Sequence, residues 1–357
     1  MVLRMATAAL MLVLFGCTEA PALERPDVVF KIFQFPPDKI PCIDGKTDDW
    51  NIVPESYALG SDQLEDTVMG HVGNPDPKDL KIKVKVGWVK GMNRLYFLYE
   101  ADDNYWNMYY KRGDIFEVVV DGDLSGGDFI NNPQIADPME AHFRFKGVHA
   151  QNYHIFTPPG EGRDWAMVWG CQPWIRDLPY SNHAYSYNFK EGESGHLILE
   201  FWITPFDYAP YDGPEGAVES KLEENKNIGL SWSVLDYDSK EGNYTGFWNL
   251  SHKTRMDSNA SCQVAFRPMP LEPQFRKPIE AQWSFKVVDM DRRMVAFKDL
   301  SYGKITSWLW DFDDGATSTE QNPIHVYKKP GTFTVVLNIE GPDGKARRVK
   351  VNDVAVK

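Results

Sequence analysis

Three groups of side chains in this 357-residue sequence could do chemistry. The first is a cluster of titratable groups, His142, Arg144, His149, Tyr153 and His154, lying after Glu117. A polysaccharide lyase could use one of these histidines or Tyr153 as its base while Arg144 neutralises a sugar carboxylate. A glycosidase could instead pair Glu117 with Asp114. The plain alternative is that the histidines are surface polar groups, since their spacing matches no zinc or catalytic signature. The second group is Asp121-Gly122-Asp123-Leu124-Ser125-Gly126-Gly127-Asp128. Oxygens recur at alternate positions and glycines let the backbone turn, so Asp121, Asp123, Ser125 and Asp128 could hold calcium. The bidentate glutamate that closes an EF-hand loop is missing, and a hydrogen-bonded Asp turn is the alternative. Asp236-Tyr237-Asp238 is a second, shorter candidate. The third group is aromatic: Trp165, Trp169, Trp174, Tyr180, Tyr185 and Tyr187, interleaved with Arg163, Arg176 and His183. Stacking surfaces beside arginines suit an anionic glycan. A small satellite core beneath a long loop is the alternative.

The elements that must position these groups are strand-like almost throughout. Lys81 to Trp88 alternates strictly, with Ile82, Val84, Val86 and Trp88 on one face and lysines on the other. Runs at 95–100, 115–120, 141–145 and 197–203 are similar, and Gly, Asn, Asp and Pro clusters separate them. Only Val218 to Asn225 reads as a short helix. The fold class expected is all-β: a large antiparallel β-sandwich followed by a smaller immunoglobulin-like β-sandwich. Three prolines between Pro268 and Pro273 mark the linker. The expected segments are a signal peptide over 1–16, a tether over 17–28, the large sandwich over 29–267, a Pro-rich linker over 268–281 and the small domain over 282–357.

Charge narrows the partners. The chain carries a formal −13, and residues 282–357 contribute 12 basic and 10 acidic side chains, so the acidity belongs to the N-terminal part. That balance opposes nucleic acid as a partner. Aromatic residues make up 13% of the chain, which calls for a use beyond packing. Trp50, Trp88, Phe97, Trp232, Trp310 and Phe312 fall at strand positions and suit a core.

The N-terminus reads as an export signal, with Arg4, an apolar run from Ala6 to Phe15, and Gly16 before Cys17. This resembles the lipobox of bacterial lipoproteins, which implies lipidation at Cys17 and a location at the outer membrane or cell surface. A plain secretory signal is the alternative. No later segment approaches the length needed to span a bilayer. Of the remaining cysteines Cys42, Cys171 and Cys262, an odd one stays unpaired. Cys42 and Cys262 could bond if the terminal strands of the large sandwich pair.

Trp308-x-Trp310-Asp311-Phe312-Asp313-Asp314-Gly315, then Asn322-Pro323-x-His325-x-Tyr327 and Pro330-Gly331-Thr332-Phe333-Thr334-Val335, resemble a polycystic-kidney-disease (PKD) domain. Asp313 stands where that family usually has glycine. The resemblance implies a small sandwich in which Asp311, His325 and Tyr327 serve packing and turns. In the larger part, Ile43-Asp44-Gly45-Lys46-x-x-Asp49-Trp50, Val86-Gly87-Trp88, Asp102-Asp103, Gly113 to Asp121, Phe143-Arg144-Phe145, Leu199 to Phe206 and Ile228 to Asp238 occur in order. Together they resemble family 9 carbohydrate-binding modules and the wider DOMON-like group. That resemblance implies that Tyr109 or Tyr110, Glu117 and Arg144 face a sugar, with Trp248 as an opposing aromatic. The wider group includes haem-binding domains, for which Met108 and His142 could serve, but the chain has no c-type attachment motif. The expectation is a surface protein of polysaccharide utilisation. It would capture a poly- or oligosaccharide by stacking and paired hydrogen bonds without chemistry, calcium being its one candidate cofactor.

Overall fold

Alternation along the sequence becomes alternation across a sheet. The computed structural model describes residues 23–109, 111–125, 137, 147–170, 172–252, 263–276, 279–341 and 344–357, and among these there is no α-helix. The chain divides between Leu271 and Glu272 into two compact units. In the larger unit the principal strands are β1 (Glu24–Gln34), β2 (Leu80–Val89), β3 (Met92–Asp103), β4 (Ile115–Asp121), β5 (Gln151–Phe156) and β6 (Ala166–Val168). They continue with β7 (Ser181–Tyr187), β8 (Gly195–Ile203), β9 (Ile228–Asp236), β10 (Gly246–Asn249) and β11 (Val264–Pro268). The hydrogen-bonded order is β6-β5-β4-β9-β11-β1-β2-β3-β8-β7, with β10 on β9. Strand β1 belongs to both halves: Val29 to Ile32 pair in parallel with β11, and Phe33 and Gln34 pair in parallel with β2. The two halves face each other across one apolar core that includes Val84, Phe97, Phe116, Val118, Phe201, Leu230 and Trp232.

The alternating lysine strand behaves as its pattern requires. Ile82, Val84, Val86 and Trp88 are all at most 3% exposed. On its other face Lys85 is also buried, because its ammonium donates to the Val53 carbonyl at 3.1 Å and the Glu55 carboxylate at 2.7 Å. The Ile43-Asp44-Gly45 signature has a structural cause. The buried Glu200 carboxylate accepts the backbone N–H groups of Asp44, Gly45 and Lys46 at 2.8 to 3.1 Å and the Trp50 indole N–H at 2.8 Å. Gly45 has φ +78° and an added Cβ would lie 2.9 Å from the Tyr185 carbonyl, so only glycine fits this turn.

Two expectations are corrected. The short helix over 218–225 does not form. Val218–Glu219 is a strand paired with Phe206–Tyr208, and so short a segment gains too little from helix formation to compete. The tether is shorter than expected, since β1 begins at Glu24, where the Glu24 N–H already donates to the Gln263 carbonyl. The terminal strands do pair, yet Cys42 is an exposed free cysteine, and Cys262 lies outside the described residues.

The smaller unit has a three-stranded sheet of β12 (Trp283–Asp289), β13 (Met294–Asp299) and β16 (Ile324–Val326). Opposite it lie β14 (Ser307–Asp311), β15 (Thr317–Ser318), β17 (Gly331–Gly341) and β18 (Gly344–Val356), in the order β15-β14-β17-β18. Trp283, Phe297, Trp310, Phe312, Tyr327 and Leu337 fill its core, to which Ile279 and Ala281 from the expected linker also belong. The ring of His325 stacks on Phe312 at 4.1 Å, and its Nε2 meets the Asp314 carboxylate at 2.8 Å. Asp313 takes φ +65°, the left-handed conformation that a glycine would adopt freely, and its carboxylate accepts the Thr334 N–H at 2.8 Å.

Candidate functional site

Because β4, β5, β9 and β10 each bury alternate residues in the core, their remaining residues share the opposite face of the sheet. Register aligns them in rows. Glu117 pairs with Ser233 on one side and His154 on the other, and Ser233 pairs with Asn249, so the row runs His154, Glu117, Ser233, Asn249. The next row is Asn152, Val119, Ser231. The adjoining row on the other side is apolar, with Phe156, Ile115, Leu235 and Phe247 packed together. Hydrogen-bonding groups thus occupy the outside of a sheet between an apolar cluster and the open edge at β6.

These polar groups are held out of water. Ser231, Ser233 and Asn249 are fully buried and Glu117 is 5% exposed. The Asn152 amide donates to the Glu117 carboxylate at 2.9 Å. The hydroxyls of Ser231 and Ser233 and the Asn152 Oδ1 are buried with no hydrogen-bond partner. Each such unmade bond costs about 1–3 kcal/mol unless something supplies it.

His154 carries the row to an exposed aromatic. Burial, assisted by the positive Arg163, lowers its pKa to about 4, so the ring is neutral at physiological pH. Its Nδ1 accepts the indole N–H of Trp169 at 3.1 Å, and the two rings meet edge to face at 5.7 Å. Trp169 is 41% exposed, and its backbone N–H donates to the Asn152 carbonyl at 3.0 Å. Trp169 therefore stands at the rim of the polar rows with a fixed orientation.

Other expected site residues are placed differently. Trp165 is in the core, stacked on His183 at 4.6 Å, and Trp174 packs on Tyr180 and Phe206 with its indole N–H on the Pro210 carbonyl. Both extend the main core of the larger unit rather than forming a separate one. Arg176 pairs with Asp164 at 2.6 Å and donates to the Ala166 carbonyl. Arg163 lies over the Phe156 ring at 3.4 Å and donates to the Arg112 carbonyl. Trp248 is 5% exposed and His71 stacks on it at 5.5 Å, which leaves little free face. Tyr109 is half-buried, with the Lys240 ammonium 5.6 Å from its ring centre. Tyr110, His142, Arg144, Asp128 and Cys17 lie outside the described residues.

The histidine cluster is not assembled among the described residues. Neighbouring strand residues point to opposite faces, so Tyr153 enters the core while His154 leaves it. His149 is engaged with the Asp207 carbonyl at 2.8 Å. Asp121 is buried in β4 and the Asp123 carboxylate accepts the Ser125 N–H at 3.0 Å, a local Asp turn.

Asp114, read from sequence as a partner of Glu117, belongs to a second constellation. Asp103, Asp114 and Asp236 can bring one carboxylate oxygen each within 4.8 Å of one another, and so can Asp79, Asp236 and Asp238. The Asp114 oxygens accept the Asn107 and Tyr237 N–H groups at 2.6 and 2.9 Å. Burial first, then neighbouring carboxylates, raise Asp103 to about 7 and Asp236 to about 9, and hold Asp114 well above the ordinary range. The sequence reading noted Asp236 and Asp238, but Asp79, Asp103 and Asp114 reach them only through the fold.

The polar rows Asn152, Ser231, Ser233 and Asn249 were also missed, although Ser231 and Ser233 alternate visibly with Leu230, Trp232 and Val234.

Comparison with known proteins covers both units. Collagenase ColQ1 of Bacillus cereus is 56% identical over 43 residues, which is 12% of this chain and 4% of that relative. The chain thus spans a small fraction of that relative's length. Among solved structures, a carbohydrate binding module family 9 from Caldicellulosiruptor kristjanssonii in complex with glucose covers 69% of this chain and 98% of its own, at 14% identity and TM-score 0.42. The PKD1 domain of Vibrio anguillarum Epp covers 22% of this chain and 95% of its own, at 24% identity and TM-score 0.20. The family model of the PKD domain matches residues 289–356. The smaller unit, with its stacked His325 and left-handed Asp313, is therefore a PKD domain.

Proposed function

We propose that the larger unit binds a poly- or oligosaccharide without transforming it, on the outer face of β4, β5 and β9. One observation carries the reading: Trp169 is 41% exposed at the end of a polar row and is held there by the neutral His154 beside Glu117. A pyranose ring stacks its C–H face on an exposed aromatic, and its hydroxyls pair with polar groups at the rim beside it. Trp169 is the platform, positioned by neutral His154. The ordered signatures that resemble family 9 carbohydrate-binding modules support the same reading.

The described loop arginines are already engaged, Arg163 on Phe156 and Arg176 on Asp164, which favours a neutral glycan over an anionic one. The protein acts outside the cytoplasm, exported by the signal-like N-terminus and lipid-anchored through Cys17.

Isothermal titration of the full chain against neutral and charged oligosaccharides tests this. We expect saturable binding of a neutral glycan, weakened at least tenfold, about 1.4 kcal/mol, by Trp169→Ala and by Glu117→Gln. Absence of binding across the panel, or indifference to both substitutions, would overturn the assignment.

A further inference from the structure

Between Thr67 and Asn74 the larger unit carries a loop whose polar groups turn inward while its apolar side chains face out. Asp66 holds it from within. One carboxylate oxygen accepts the Val68 and Met69 N–H groups at 2.9 and 2.8 Å, and the other meets His71 Nδ1 at 2.5 Å. The His71 ring lies on Trp248, and the Asn74 amide donates to the Asp62 and Leu64 carbonyls at 3.1 and 2.8 Å. Val68 and Met69 are left 38% and 47% exposed, and Val72 is fully exposed. Gly70 and Gly73 take φ +85° and +91° with open space around each, so the tip turns sharply and packs on nothing there. Single exposed apolar residues are ordinary on a surface, but three within five positions of one loop tip mark a contact surface.

This loop stands where the chain enters the unit. Arg25, the second residue of β1, donates to the Gln63 carbonyl at 3.4 Å and to the Gln63 amide oxygen at 3.1 Å. It therefore holds the same 62–64 segment on which Asn74 closes the loop. The other end of β1 lies elsewhere, since Ile32 pairs with Pro268, whose carbonyl accepts the Asn225 N–H. Cys17 precedes Glu24 by seven residues, which span at most about 25 Å when fully extended. A lipid on Cys17 thus keeps a bilayer close to the end that carries Val68, Met69 and Val72. Thr67 to Asn74 contains no lysine or arginine, and its nearest charged neighbours in sequence are Asp66 and Asp76.

We propose that the 67–74 loop is a lipid contact: its apolar tip enters the headgroup region of the bilayer that holds Cys17. The inference rests on the lipid anchor proposed above and does not depend on glycan binding. An acyl anchor alone leaves the unit free to turn at the end of a short tether. Three side chains that exchange water for lipid bias it to one orientation, with the Pro268 end away from the bilayer, and add little to the strength of the anchor. The loop offers no cation, so the attraction is apolar and the surface it suits is zwitterionic. Anionic headgroups would meet Asp76 and the net negative charge of this unit, which weakens the contact.

The test is hydroxyl-radical footprinting of the full chain, purified with its lipid and placed on phosphatidylcholine vesicles, with oxidation of each methionine read by mass spectrometry. Met69 reports the loop, and Met167 and Met290, which are 36% and 40% exposed, serve as internal controls. Relative to Cys17→Ser protein mixed with the same vesicles, Met69 oxidation should fall at least fivefold while Met167 and Met290 are unchanged. The pair Val68→Ser and Val72→Ser, at exposed positions, should cut the Met69 protection below twofold while the protein still floats with the vesicles. Replacing half of the lipid by phosphatidylglycerol should reduce the protection. A chain that does not float with vesicles overturns the anchor, and this inference falls with it. A chain that floats with Met69 unprotected, or with all three methionines protected alike, overturns the loop contact alone. So does protection that appears only with phosphatidylglycerol, or that Cys17→Ser protein shows without vesicles as its concentration rises, which would assign the tip to a second copy of the chain.

Discussion

The two units handle their carboxylates in opposite ways. In the PKD domain acids are closed by their own neighbours: Asp314 by His325, Asp299 by the Trp308 indole and Gln321, and Asp313 by the Thr334 backbone. At the rim of the larger unit, aspartates converge on one another and keep orphan oxygens, and the outer face nearby repeats the pattern with Asn152, Ser231 and Ser233. Closed polar groups stabilise a fold. Open ones are maintained at a cost and call for an explanation of their own.

Glu200 is the sharpest check on that distinction, since it is a closed carboxylate inside the unit that otherwise leaves polar groups open. Glu200→Ala strands three backbone donors and the Trp50 indole, and should cost about 3–5 kcal/mol in urea denaturation. A cost below about 1 kcal/mol would erase the contrast.

His154 gives a smaller, pH-dependent effect. Its folded pKa of about 4 lies below the unfolded value near 6.5, so only the unfolded chain takes up the proton between them. Stability is therefore complete above about pH 6.5 and is lost as pH falls toward 4, by up to about 3 kcal/mol. Comparing denaturation of wild type and His154→Asn at pH 7 and pH 4.5 checks this, and equal pH slopes would remove the histidine from the account.

The smallest effect belongs to the closed domain. Asp313→Gly relieves a left-handed aspartate but removes its bond to the Thr334 N–H, so the two changes should nearly cancel, within about 1 kcal/mol. A loss above about 2 kcal/mol by thermal melting would show that the side-chain bond dominates the turn.

What could be read in advance followed the reach of each interaction. The PKD turn chemistry lies within a few residues, so the motif was legible, although the departure at Asp313 left the turn geometry open until its left-handed φ was seen. Strand alternation likewise placed Trp88, Phe97 and Trp232 in the core. The acidic centre was only half visible, because Asp236 and Asp238 are neighbours in sequence whereas Asp79, Asp103 and Asp114 arrive from other strands. The histidine cluster misled for a related reason: proximity in sequence along a strand sends Tyr153 and His154 to opposite faces. Trp248 offered no warning that His71, far away in sequence, would cover it.

Strand β1 carries a mechanical consequence. It runs parallel to β11, with Val29 beside Ala265 and Ile32 beside Pro268, so the start of the unit and its exit lie at opposite ends of one ladder. Tension between the N-terminal end of β1 and the C-terminal end of β11 would slide the two strands past each other. Their hydrogen bonds would share the load in shear rather than break singly by peeling. The larger unit is thus built to remain folded when pulled from its two ends.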